Sequence, residues 1–127
     1  MLVAAVIDLE ETIVPFIEGT VIRIYDTETA KYEDFRNPAI DVKEGRRGAV
    51  LHFAEEKGVI AFVAPPQTFC ELSYTKAQAD QVKFYHLTAN VKFETFQKLL
   101  IHQLLKVQDA LPADEIAPSY VPVQNEI

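Results

Sequence analysis

The sequence predicts a single α/β domain built on a mixed sheet, and three observations carry that reading. Two short runs, Leu2–Ile7 and Val59–Ala64, are apolar at every position, as central strands covered on both faces require. Three strand-like segments open the chain before any helical period appears. From Gly45 onward, helical and strand periods alternate, which places a parallel component in the sheet.

Taken in order, Leu2–Ile7 is a strand ended by Asp8, and residues 8–19 are a connection broken by Pro15 and Gly19. Thr20–Asp26 alternates, setting Val21, Ile22 and Ile24 against Arg23 and Asp26. Thr27–Ala30 is a tight connection into Lys31–Arg36, with Tyr32 and Phe35 expected on the buried side of the hairpin. Asn37-Pro38 ends that strand, because proline cannot donate to a ladder. Val50, Leu51, Phe53, Ala54 and Val59 then fall at helical spacing from Gly45, and Glu55-Glu56-Lys57-Gly58 gives a polar last turn with a glycine stop.

Pro65-Pro66 breaks the second apolar strand. A helix is expected over Gln67–Ala79 with Phe69, Leu72 and Ala77 facing inward, then a strand over Val82–Leu87. An amphipathic helix follows over Phe93–Val107, carrying Phe93, Phe96, Leu99, Leu100, Leu104 and Val107. Residues 1–111 are read as the domain. Residues 112–127, with Pro112, Pro118 and Pro122, are read as a tail docked through Tyr120 and Val121.

A chain of 127 residues suits one domain, and an apolar fraction of 49% with 24% charged residues excludes a disordered one. The net charge of -7 repels a phosphate backbone, so no nucleic-acid partner is expected. Cys70 is the one cysteine, which rules out an internal disulfide and fits a reducing compartment. The start, Met1–Ile7 followed by Asp8, Glu10 and Glu11, does not have the basic start and cleavage site of a signal peptide. No apolar run reaches bilayer length, so the expectation is a soluble, cytoplasmic protein with no membrane partner. Nucleophile-elbow, phosphate-loop and dinucleotide motifs are absent.

If the two apolar strands are neighbours, their carboxyl ends open on a crevice where open α/β sheets bind ligands. The candidate lining is Asp8, Glu10, Gly45, Arg46, Arg47, Pro65, Pro66 and Thr68, with Cys70 at the margin. Gly45-Arg46-Arg47-Gly48 joins backbone room, helix N-terminal amides and two guanidiniums, a combination suited to an anion. Cys70 would offer a soft thiolate ligand to iron; the alternative is that it packs with Phe69 and Leu72 as a small apolar residue. His52, His86 and His102 do not have the spacing of a helical metal site. The stripe through Leu99, Leu100, Ile101, Leu104 and Leu105 covers the sheet, or makes the 93–108 helix a homodimer or protein-partner surface.

Three stretches resemble the dinitrogenase iron–molybdenum cofactor biosynthesis family, the NifX-like and NifB C-terminal domains. They are Val21-Ile22-Arg23-Ile24-Tyr25-Asp26, an apolar strand ending in Asp; Tyr32–Ala39, a strand running into Asn37-Pro38-Ala39; and Gly45–Val59, a Gly-led helix ending Glu-Lys-Gly-Val. The likeness spans about residues 1–105. It implies a ribonuclease-H-like three-layer fold with sheet order 3-2-1-4-5, the second strand antiparallel and helices on both faces. It also implies a history of binding iron–sulfur or iron–molybdenum cluster precursors. Cluster-binding members carry a His beside a Phe-Gly pair in the first connection, where this chain has Ile13–Glu18 and no His, and His-Gly before the first helix, where it has Glu44-Gly45.

The expected function is therefore a non-catalytic binding protein, a divergent relative of the cluster carriers, whose ligand is an anion or a metallocluster precursor. A structural protein-interaction domain that has lost cluster binding is the alternative. A metal-dependent hydrolase using Asp8 with Glu10 and Asp26 is the remote one, since two-metal chemistry needs carboxylates that converge and Asp26 ends a strand at the opposite edge.

Overall fold

The computed structural model describes residues 1–119. Its sheet has five strands: β1 (Leu2–Ile7), β2 (Val21–Asp26), β3 (Tyr32–Arg36), β4 (Ala61–Ala64) and β5 (Lys83–His86), in the order β3-β2-β1-β4-β5. β2 pairs antiparallel with β1, from Leu2↔Asp26 to Ile7↔Val21, and with β3. β1 and β4 run parallel at Val3↔Ala61 and Ala4↔Phe62, and β4 and β5 run parallel from Ala61↔Lys83 to Ala64↔His86. The two apolar strands are thus neighbours, as the sequence predicts.

Period-two alternation divides each central strand between two cores. Ala4, Val6, Ile22, Phe62 and Phe84 face helix α1 (Arg46–Glu56), which contributes Val50, Leu51 and Ala54, and helix α2 (Glu71–Ala79), which contributes Ala77. Val3, Ala5, Ile7, Tyr25, Ala61, Val63 and Tyr85 face helix α3 (Phe93–Ile101) through Phe93 and Phe96. Helices on both faces explain why β1 and β4 are apolar throughout.

Several local features follow from the residues present. α1 ends in a Schellman motif: the Gly58 amide donates to the Glu55 carbonyl and the Val59 amide to that of Ala54, with Gly58 at φ 89°. Gly19 approaches β1 so closely that a Cβ would lie 2.5 Å from Val6 Cγ1 and 2.6 Å from the Ile7 carbonyl oxygen. Asn37, fully buried, fixes this corner. Its Nδ2 donates to the Phe16 and Gly19 carbonyls, both at 2.8 Å, and its Oδ1 accepts from the Ala39 amide that opens a 3₁₀ turn, Pro38–Asp41. Asn37-Pro38 therefore does more than end a strand.

Some expectations need correcting. Tyr32 and Phe35 do not share a buried side: an odd separation on a strand sends them to opposite faces. Tyr32 stacks beside Phe93, and Phe35 meets Phe53 of α1. α2 begins at Glu71 rather than Gln67, because residues 65–70 turn back on themselves with Gln67 at φ 71°. That later start rotates Leu72 outward, leaving it 69% exposed, while Ser73 and Ala77, one turn apart, face the core.

α3 stops at Ile101 and does not reach Val107 or residue 108. Gln103 adopts the left-handed conformation at φ 59°, and the chain then runs to Gln108, which exchanges both backbone hydrogen bonds with Phe84 at the edge of β5. Leu104 is 70% exposed as a result. Residues 112–119 pack against α2, with Ile116 partly buried and Ala117 buried. Tyr120 and Val121 lie outside the described residues.

Candidate functional site

The chain leaves the carboxyl ends of β1 and β4 in different directions. After β1 the chain is drawn toward α3. The Ile13 amide donates to the Val91 carbonyl and the Phe93 amide to that of Glu11. Asp8 closes this loop on itself, its Oδ1 accepting from the amides of Glu10 at 2.9 Å and Thr12 at 3.0 Å. Glu10 is exposed and stands 3.8 Å from Lys92, whose Nζ also donates to the Glu10 carbonyl. Asp26 sits at the far end of β2, 3.9 Å from the N-terminal ammonium.

After β4 the chain turns toward α1 and α2. Thr68 is buried, and both its amide and its hydroxyl bond the Pro65 carbonyl, the hydroxyl at 2.6 Å. Phe69 anchors the turn at the centre of an aromatic cluster, with ring centroids 4.8 Å from Phe16, 5.9 Å from Phe62 and 5.3 Å from Phe84. Arg47 clamps the turn from outside, its Nε donating to the Thr68 carbonyl and its Nη2 to that of Gln67, both at 3.2 Å. Arg46 reaches the other way, to the carbonyls of Ala39 at 2.9 Å and Ile17 at 3.4 Å.

Between α1 and α2 lies a cavity of about 490 Å³, lined by Ile17, Lys43–Gly48, Cys70, Leu72, Ser73, Lys76 and Ser119. Of the predicted residues, Gly45, Arg46, Arg47 and Cys70 meet there. Pro65, Pro66 and Thr68 form the supporting turn behind it, while Asp8 and Glu10 belong to the loop paired with residues 91–93. Sequence reasoning missed Ser73, Lys76 and Ser119. Ser73 had a readable signal in its three-residue spacing from Cys70, since a serine there can bond back to the helix N-cap. Ser119 had none.

The electrostatics of the cavity run against those of the whole chain. Lys43, Arg46, Arg47 and Lys76 line it against one carboxylate, Glu44. Lys76 is paired with Asp80. Among the described residues no carboxylate lies in ion-pair range of Lys43, Arg46 or Arg47. α1 adds its first-turn amides, which have no intrahelical partners, behind Gly45 in the left-handed region at φ 63°.

Cys70 is a free thiol at the N-cap of α2. Its amide donates to Ser73 Oγ at 2.9 Å, and its Sγ lies 3.3 Å from the same oxygen. Burial pushes the thiol pKa up, but hydrogen bonds from Ser73 and Ser119 and the charge of Arg47 outweigh it, leaving the thiol below its ordinary value. Among the described residues no group of three or more His, Cys, Asp or Glu side chains is placed to hold a metal ion. His86 is engaged with Glu115, Nε2 to Oε1 at 2.8 Å. With one cysteine in the chain, the donor set does not fit a cluster ligated through several protein thiolates.

No family model and no curated protein matches the chain. Solved structures do. The apo orange protein from Desulfovibrio gigas matches with a TM-score of 0.69 at 12% identity, covering 83% of this chain and 90% of that one. A Thermotoga protein provisionally named NifB, of the DUF35 family, matches at 0.66 and 20%, covering 89% and 97%. A Methanocaldococcus jannaschii protein provisionally described as a dinitrogenase matches at 0.57 and 19%, covering 84% and 93%. At these identities the likeness establishes a shared fold, one that includes Nif-related proteins.

Proposed function

We propose that this chain is a non-catalytic binding protein that holds a small anion in the α1–α2 cavity, in the manner of a carrier. One observation carries the reading. In a chain of net charge -7, three cationic side chains with no carboxylate in ion-pair range among the described residues line one cavity together with the N-terminal amides of α1. The resemblance to cofactor-biosynthesis proteins and the Nif-related names among the structural neighbours direct the ligand class toward an anionic metal–sulfur precursor carried as cargo. Such cargo would be held by charge and amides, with Cys70 as a single thiolate contact.

The test is an anaerobic calorimetric titration of the protein with molybdate, tetrathiomolybdate and inorganic phosphate. Binding is expected at one site and weakens as salt screens the cations. Lys43→Gln, which removes a cation with no ion-pair partner among the described residues, lowers affinity about threefold to tenfold. Absence of heat for every anion at millimolar concentration and low salt would refute the proposal.

A second reading concerns protein partners. Ile101 and Leu104 are largely exposed at the end of α3, beside a groove lined by Tyr25, Tyr85, Leu100 and Leu105. An apolar groove of this kind suits a second copy or another protein. Light scattering that gives a monomer at all concentrations would dispose of the homodimer.

A further inference from the structure

We propose that residues 112–119 form a latch on the N-terminal edge of α2, and that its release opens the α1–α2 cavity and Cys70 to solvent and ligand. The segment begins with a 3₁₀ turn, Ala113–Glu115, and then crosses the turn after β4 as a short extended piece. The Gln67 amide donates to the Glu115 carbonyl at 2.8 Å, the Ala117 amide to that of Phe69 at 2.8 Å, and the Glu71 amide to that of Ala117 at 3.0 Å. Beyond it, the Leu72 amide donates to Ser119 Oγ at 2.8 Å, and the Ser119 amide to Glu71 Oε1 at 3.1 Å.

Two of the amides that the N-terminus of α2 leaves unpaired, at Glu71 and Leu72, are thus taken by the latch. Among the described residues none takes the equivalent amides of α1. Ser119 is also a wall of the cavity that Cys70 lines, and it helps to hold the thiol below its ordinary pKa. An anion that approaches α2 therefore meets the latch first.

The seat is shallow, which distinguishes a latch from a sixth strand. Ala117 is the one residue of the segment that is buried, Ile116 packs partly buried against the core, and the anchor farthest from the cavity is Glu115 on His86, at the end of β5. Segments held by backbone hydrogen bonds over few apolar contacts open well before the core does.

The inference rests on the cavity's being the ligand site. Its test needs no ligand, so its failure and that of the anion titration can be told apart. Alkylation of Cys70 by iodoacetamide is followed across pH in the full chain, in Ser119→Pro and in His86→Ala. Losing the Ser119 donor raises the thiol pKa and slows reaction at fixed pH, so access is read from the limiting rate at high pH. That rate is expected to rise about fivefold or more in both variants. The remote His86→Ala decides the matter if Ser119→Pro fails to fold. In the unaltered protein, the amides of Gln67, Glu71, Leu72 and Ala117 should exchange about tenfold faster than those of β4. A limiting rate unchanged by either variant, or equal protection at the latch and in β4, would overturn the latch.

Discussion

Arg23 lies between the rings of Tyr32, at 3.8 Å, and Phe93, at 4.8 Å, with Asp34 in a two-point contact at 2.7 and 2.8 Å and Glu11 at 2.7 Å. On the opposite face, among the described residues, Arg46 and Arg47 bond to backbone carbonyls alone and line an open cavity. The hydrogen bond to Asp34, working against burial and helped by Glu11, holds the Arg23 guanidinium firmly charged, and its charge is fully answered. Among the described residues the charges of Arg46 and Arg47 are not. A carbonyl positions a guanidinium without cancelling it, so the same side chain staples one face of the sheet and supplies field on the other. The cavity face takes its rigidity from aromatic packing and from Asn37 instead.

That contrast can be broken at its strongest point first. Phe69→Ala removes a fully buried ring from the support of the cavity turn and should cost about 3–5 kcal/mol in denaturant unfolding. A loss below about 1 kcal/mol would show that the cluster does not hold the cavity face.

Arg23→Ala comes next, at about 2–4 kcal/mol. The figure sits below that of a fully buried pair because Glu11 and Asp34 remain partly exposed and resolvate. Arg46→Ala should cost clearly less stability yet weaken anion binding, which Arg23→Ala leaves alone. Equal binding losses from both would erase the distinction between the two faces.

Asn37→Ala leaves the Phe16 and Gly19 carbonyls without their donor and should cost about 2 kcal/mol by the same measurement. The pH–rate profile of Cys70 alkylation should turn over below the ordinary thiol value, and move up when Arg47 is replaced by Gln. At the small end, Glu10→Gln should change stability by less than about 0.5 kcal/mol and anion affinity not at all, since its contact to Lys92 is an exposed pair. A clear loss of affinity there would restore the acidic loop to the binding site.

The sheet was legible because its signals are local. Period-two runs, helical spacing, Gly58 and Pro65-Pro66 each act on a few neighbouring residues, and together they predict the element order and the adjacency of β1 and β4. The positive cavity was legible in part, through Gly45-Arg46-Arg47. The errors fall where a residue obeys a distant partner. Gln103 breaks α3 before Leu104 because the edge of β5 takes Gln108, and Asp8 leaves the crevice because its loop pairs with residues 91–93. Leu72 turns outward because α2 begins at Glu71.

By itself, then, the sequence determined the strands, the helical segments and the pair of arginines in the first turn of α1, all of which follow from near-neighbour spacing and composition. Tertiary structure decided which ends of the sheet share a cavity, that Asp8 and Glu10 stand apart from Arg46 and Arg47, and that Ser119 returns from the far end of the chain to Cys70. Such meetings depend on the unpaired backbone groups at sheet edges and helix ends. Those groups must find partners wherever the fold brings them, and no local spacing records the choice.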